Sequence, residues 1–395
     1  MNDRRTGKWD SHVRGRPTLI LALIIYGISG CCWTPEQSVN LQPDYTFVFL
    51  GDLHFDRPED HNMEWVKKTH PNDIAQIQNY CRVTEENTPA LFSSISELNG
   101  RQLQPFFSIV QAGDFTEGLC GSYELQSLQF EQAKTCVTEY FGTIPFLMTK
   151  GNHDITGPGA DKAYLDHILP WLSSQLNKSI TQTSYTVRHG EDLFIFFDAY
   201  RPDIDWLEDM FNHSNARYTF FITHMPVVPF NARSNWHLFA KDDQQPERQR
   251  LLGLLGRHRA IVLCGHLHDY SLLRRNTPQG SFMQLCMNSV IRDKDMPPEN
   301  YLAGKDKYTA DLVNLEPSFS PDTLETRKRN LEKEMADIDF FEYAKTAGSS
   351  VIKRYPDKIV IDVYCGCSKI PWKTNTLTRK QLNTSSTLPQ ADLDG

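Results

Sequence analysis

Residues 151–154 read Gly151-Asn152-His153-Asp154, directly after the apolar run Ile144-Pro145-Phe146-Leu147-Met148-Thr149. A short apolar run closed by such residues reads as a buried strand. Gly151 lets the backbone leave the strand sharply. Asn152 offers an amide oxygen, a donor that hard and borderline divalent metals accept. His153 adds a titratable imidazole at the rim of the same turn.

Working outward, four other apolar runs end in the same way. Residues 45–50 lead into Gly51-Asp52-Leu53-His54, and residues 106–111 into Ala112-Gly113-Asp114. Residues 218–222 lead into Thr223-His224, and residues 260–264 into Gly265-His266-Leu267-His268. In a layered α/β fold the carboxyl ends of strands gather at one edge, so these fragments can meet there. Residues i and i+2 of a strand share a side. Asp52 with His54, and His266 with His268, therefore share a face if the chain stays extended.

The chain has 395 residues, a net charge of −8 and 39% hydrophobic residues, enough for a large core. The acidic balance speaks against a specific nucleic-acid binder, which needs a basic stripe. The fragments from Asp52 to His268 must converge, so residues 45–370 read as one domain rather than two. Residues 32–44 form a linker. Residues 371–395, rich in Thr, Ser and Asn, read as a disordered tail.

At the N-terminus Arg4, Arg5, Lys8, Arg14 and Arg16 precede the apolar residues 19–26. This pattern is a basic region and hydrophobic core of an export signal, shorter than the ~20 residues that span a bilayer. It ends in Ile28-Ser29-Gly30-Cys31, which resembles a bacterial lipobox with Cys31 as the lipidated residue. Residues 1–31 are thus expected to be a signal peptide of lipoprotein type, placing the protein in a bacterial cell envelope, membrane-anchored. Plain secretion to a soluble or periplasmic form and an uncleaved anchor are the alternatives. Export permits disulfides, and Cys120 with Cys136 is the candidate pair. Cys264, inside an apolar run, reads as a buried free thiol. Three glycosylation sequons, at Asn177, Asn212 and Asn383, matter only outside bacteria.

Elsewhere the pattern predicts helices over 90–98, 123–140, 163–176, 205–211, 247–255 and 324–335, with hairpins at 184–198 and 350–364. Residues 57–88 read as a long polar loop with some helix near 74–80, and residues 297–321 as irregular.

Asp-x-His, Gly-Asp, Gly-Asn-His-Asp, His and Gly-His-x-His, in this order and each after a strand, resemble the calcineurin-like metallophosphoesterase superfamily. The resemblance covers about residues 45–290. It implies a β-sandwich flanked by helices, with a dinuclear metal site at the strand C-terminal ends. Carried over, Asp52, His54 and His268 hold one metal, Asn152, His224 and His266 the other, and Asp114 bridges both. The ions implied are Mn, Fe or Zn. A hydroxide shared by the metals would attack a phosphomonoester or phosphodiester in line. His153 would protonate the leaving oxygen or stabilise phosphoryl charge.

Purple acid phosphatases carry a tyrosine three residues after the bridging aspartate. Glu117 stands there in this chain, which argues against an iron–tyrosinate centre. Asp154 reads as a residue that holds the loop or a ligand imidazole, and Asp56 is a weaker site candidate. His61, Trp65, Lys67, His70, Asn231 and Arg233 are candidate substrate contacts. Two competing functions stay open: a non-catalytic envelope module that keeps the fold and its metals, and a nuclease, which the acidic charge disfavours.

Overall fold

The computed structural model describes residues 42–315 and 322–379. In chain order its first strands are β1 (Tyr45–Leu50), β2 (Ile109–Gln111), β3 (Phe146–Met148), β4 (Tyr185–His189), β5 (Asp192–Phe197), β6 (Thr219–Thr223) and β7 (Ile261–Cys264). They are followed by β8 (Tyr270–Thr277), β9 (Gly280–Cys286), β10 (Glu299–Ala303), β11 (Ile338–Lys345), β12 (Gly348–Arg354), β13 (Lys358–Cys365) and β14 (Lys373–Thr378). They form a six-stranded sheet, β14-β13-β12-β1-β2-β3, and an eight-stranded sheet, β10-β11-β8-β9-β7-β6-β5-β4.

The sheets pack face to face. Phe47 of β1 meets Phe194 and Phe220 of the second sheet with ring centroids 5.3 and 5.2 Å apart. Alternation along the strands explains the layering. Phe194, Phe196, Phe220, Ile222, Ile261 and Leu263 join the core between the sheets. Their neighbours Ile195, Phe197, Phe221, Val262 and Cys264 face the outer layer. Both faces are buried, which is why these strands read as unbroken apolar runs.

The helices, α1 (Met63–Thr69), α2 (Ile74–Glu86), α3 (Thr88–Gly100), α4 (Tyr123–Phe141), α5 (Ala160–Ala163), α6 (Leu169–Leu176), α7 (Ile204–Asn212), α8 (Gln245–His258) and α9 (Leu324–Met335), cover the outer faces. Leu91, Phe92 and Phe130 pack on the first sheet, and Leu207, Leu251 and Leu331 on the second. Among the described residues no helix is long and apolar enough to cross a membrane.

Four expectations are corrected. Residues 57–88 are mainly helical, with α1, α2 and two 3-10 turns in place of a loop. Asn62 caps α1 through its side chain, and Val66, Ile77 and Cys81 pack together beneath. The stretch from 297 contains β10, paired with β11. Residues 373–378, expected to be disordered, form β14, whose buried Leu377 pairs with Ile359 of β13. Cys120 and Cys136 are free thiols, as are the other described cysteines, so the expected disulfide does not form. The signal segment, Cys31 and the tail beyond 379 lie outside the described residues.

Candidate metal centre

Strands β1, β2 and β3 run parallel, as do β5, β6 and β7. Parallel pairing brings their carboxyl ends to a common edge. There the chain places Asp52 and His54, Asp114, Asn152, His224, and His266 and His268. These side chains form two clusters that share one carboxylate. Asp52, His54, Asp114 and His268 make one, and Asp114, His224 and His266 the other.

The extended chain expected for Asp-x-His and His-x-His is absent. His54, Asp114, His266 and His268 all have positive φ, 47°, 53°, 69° and 57°. Left-handed backbone is costly for a residue with a Cβ and collects at functional sites. The ligands converge through sharp turns, not through strand alternation. Gly151 also serves differently from expectation. A Cβ there would lie 2.0 Å from the Asp114 backbone nitrogen, so close approach demands glycine. Gly265 is equally constrained, with Asp52 Oδ1 2.1 Å from its would-be Cβ.

Two of the imidazoles are aimed by a partner on the outer nitrogen. His54 Nδ1 meets Glu117 Oε2 at 2.6 Å, and His224 Nδ1 donates to the Ala112 carbonyl at 2.8 Å. Their Nε2 atoms therefore face inward. Both oxygens of Asp52 accept the His266 backbone N–H at 2.9 Å, and Oδ2 lies 2.7 Å from His268 Nε2. His153 donates its backbone N–H to Asp114 Oδ1 at 2.8 Å. Its Nδ1 sits 2.8 Å from the Glu117 carbonyl, and its side chain is 20% exposed, so Nε2 is left for a ligand.

Charge follows the geometry. Burial works to raise the Asp114 carboxyl, but the imidazoles of His224 and His153 hold it well below the usual carboxylate range. Burial likewise opposes the descent of Glu117 to about 2, which His153 and His54 cause. Burial pushes His266 down to about 3 and His268 to about 4, so both rings are neutral and each keeps one nitrogen lone pair able to coordinate. For His224 burial is outweighed by Asp114, and the ring rises to about 9.

A model of the calcineurin-like phosphoesterase family matches residues 45–270, more than half of the chain. The chain belongs to this family. Three solved structures are similar to this phosphoesterase. PhoD is 11% identical, with 85% of this chain and 69% of that chain covered and a TM-score of 0.49. A purple acid phosphatase from yellow lupin (Lupinus luteus) seeds is 10% identical, with 89% and 57% covered and a TM-score of 0.50. A dimetal phosphatase from Danio rerio is 12% identical, with 85% and 99% covered and a TM-score of 0.48. At such identities the likeness concerns fold alone. No curated protein sequence matches significantly.

The phosphoesterase family implies a dinuclear centre, and the residues fit one. Asp114 Oδ2 is buried without a hydrogen-bond partner, 3.2 Å from His224 Nε2 and 3.6 Å from His54 Nε2. A buried carboxylate oxygen left unsatisfied is costly. Inward nitrogens also face one another. His54 Nε2 and His268 Nε2 are 3.2 Å apart, and His266 Nδ1 and His224 Nε2 3.0 Å. A cation in each cluster would satisfy these lone pairs together.

Several residues of the phosphoesterase escaped the sequence. Glu117, read only as a missing tyrosine, is fully buried between His54 and His153, with Gln76 donating to its Oε1 at 2.8 Å. Tyr200 donates its hydroxyl to Asn152 Oδ1 at 3.0 Å. Asp198 fixes that turn: its Oδ1 accepts the N–H of Tyr200 and Arg201, while Oδ2 meets Lys150 at 2.6 Å. Tyr80 stacks on His54 at 4.3 Å. No local motif announces any of them, because each acts across the fold.

Asp154 accepts from Thr116 N and Gly151 N, bracing the central turn. Asp56 and His61 are buried against each other at 2.6 Å, with His61 also on the Leu119 carbonyl, so neither faces substrate. Asn231 is buried on Asp269 and is no substrate contact either. Trp65 and His70 pack together at 5.0 Å, and Lys67 is exposed on α1. Arg233 lies over Trp236, whose ring is 5.5 Å from that of His266.

Proposed function

We propose that this metal-dependent phosphoesterase is an exported enzyme that hydrolyses a phosphomonoester or phosphodiester. The observation that carries the reading is the buried, unpartnered Asp114 Oδ2, set between His54 and His224 at the junction of the two clusters. Asp52, His54 and His268 would hold one ion, and Asn152, His224 and His266 the other, with Asp114 common to both. The imidazole, amide and carboxylate donors suit Mn, Fe or Zn. Two such ions, when bound, supply Lewis acidity toward phosphoryl oxygens and acidify water.

The chain's own residues do the rest. Glu117 fixes the His153 ring through Nδ1, so Nε2 can donate a proton to the leaving oxygen or face the phosphoryl group. Arg233 and Trp236 stand at the rim of the second cluster and can meet a substrate's anionic oxygens and its apolar body. Export rests on the basic and apolar residues before Ile28-Ser29-Gly30-Cys31, and we place the mature protein on a bacterial envelope membrane through Cys31.

The test is a screen of Mn-loaded protein against p-nitrophenyl phosphate, bis(p-nitrophenyl) phosphate and phospholipid vesicles. Turnover of at least one that disappears on chelation is expected. Metal-loaded, folded protein inert toward all three would overturn the assignment and favour a binding module.

A further inference from the structure

We propose that an arginine-lined pocket at the opposite end of the second sheet binds a phosphate-type oxyanion, separately from the metal centre. Residues 216–218 lead into β6, and residues 257–259 lead toward β7. His224 and His266 leave the other ends of these strands. At ~3.3 Å per residue the two sites lie on the order of 20 Å apart along β6.

Two adjoining cavities, of about 190 and 380 Å³, share Ala216, Arg217 and Arg379 in their walls. Arg188, Arg257 and Arg259 complete a set of five guanidinium groups, on a chain whose net charge is −8. Two nearby carboxylates, Glu191 and Asp192, are already engaged. Glu191 Oε2 meets Arg217 at 3.3 Å and Arg354 at 3.4 Å. Asp192 accepts from Tyr45, from Arg354 and from the Tyr218 backbone. Among the described residues no carboxylate forms an ion pair with Arg188, Arg257, Arg259 or Arg379.

The second observation is independent of charge. Three residues lining the smaller cavity hold a buried polar atom with no hydrogen-bond partner: Arg217 Nε, Tyr218 OH and His258 Nε2. Tyr218 is only 4% exposed. Buried polar groups are nearly always paired, so three orphans at one cavity mark a missing partner. Arg Nε can only donate, and the phenol and imidazole can donate too, so the partner is an acceptor. A tetrahedral oxyanion accepts several donors at once, and guanidinium groups match its geometry. Arg257 and His258 also sit in the last turn of α8, where positive charge suits the helix dipole. That account leaves Arg259, Arg379 and the Tyr218 hydroxyl unexplained.

The ligand is inorganic phosphate or the phosphate group of a soluble molecule. Both sources can be tested by calorimetric titration of Mn-loaded protein with inorganic phosphate and with methylphosphonate, neither of which is an ester to be hydrolysed. The variant R257A/R259A/R379A changes only exposed side chains. It should keep wild-type turnover while losing one class of binding site by at least ~10-fold. Y218F should weaken that class by ~3-fold. Asp114→Asn should leave the class intact. Tighter binding of inorganic phosphate would assign the free ion, and tighter binding of the phosphonate a phosphorylated molecule. A single class that survives the arginine changes and vanishes with Asp114→Asn would overturn the proposal, as would no binding by either probe outside the metal centre.

Discussion

Glu117 Oε2 lies 2.6 Å from His54 Nδ1, a fully buried contact that sets which face of the imidazole looks into the metal centre. The same oxygen is 3.2 Å from His153 Nδ1, and Oε1 accepts from Gln76. Both oxygens thus act as acceptors. Glu117→Gln brings an NH2 group that must face one of these donors. Groups that orient a metal ligand typically contribute ~10–100-fold in affinity. The expected result is a loss of that order in Mn affinity, measured by titration, with the fold retained by circular dichroism. Wild-type affinity would reduce Glu117 to a packing residue.

Asp114→Asn should impair both ions at once. Metal analysis of reconstituted wild type should give about two per chain, and the variant substantially fewer. Chelation should also lower the melting temperature of wild type, because ions that bind only the folded state stabilise it. Asp114→Asn protein should lack most of that shift. A variant that retains both ions would contradict a shared carboxylate.

His153→Ala separates enzyme from scaffold. Metal content should stay near normal while turnover falls, general acid catalysis being worth ~10²–10⁴-fold. The loss should be smaller for p-nitrophenolate, which leaves readily, than for an alkoxide. Equal losses would assign charge stabilisation instead. No loss with metals bound would favour the non-catalytic module.

Tyr200→Phe deletes the hydroxyl that donates to Asn152 Oδ1. A hydrogen bond contributes about 1 kcal/mol, or ~5-fold. Turnover should fall by roughly that factor, with weaker retention of one of the two ions and little change in KM. Unchanged kinetics and occupancy would leave Tyr200 as a residue of the rim.

Cys31→Ser should abolish lipid labelling of the protein expressed in a bacterium. Persistent labelling, or a wild type that never takes label, would refute the lipobox reading of Ile28-Ser29-Gly30-Cys31.

The metal centre was legible because its chemistry is local. Each ligand stands within a few residues of an apolar run, and the parallel strands bring those ends together. The backbone turns that aim them were not legible, since His54 and His268 adopt left-handed φ only through contacts made in the folded chain. In α1 and α2 the buried Val66, Ile77, Tyr80, Cys81 and Val83 stand among so many polar residues that the stripe does not read as a long apolar run. Strand β14 reads Lys-Thr-Asn-Thr-Leu-Thr, and only its pairing with β13 distinguishes it from a polar tail. The orphaned atoms around Tyr218 leave no trace in sequence at all.

The place of β1 in its sheet has a bearing on how the molecule is made. The strand that delivers Asp52 is flanked by β2 on one side and by β12 on the other, with Tyr45 opposite Arg354. The match to the family ends at residue 270, long before β12. A polypeptide ending there would leave Val48 and Phe49 on an open edge, inviting aggregation. Contacts so distant in sequence also form slowly. Residues 348–354 must therefore be in place before the strand that delivers Asp52 has a hydrogen-bonded neighbour on both sides.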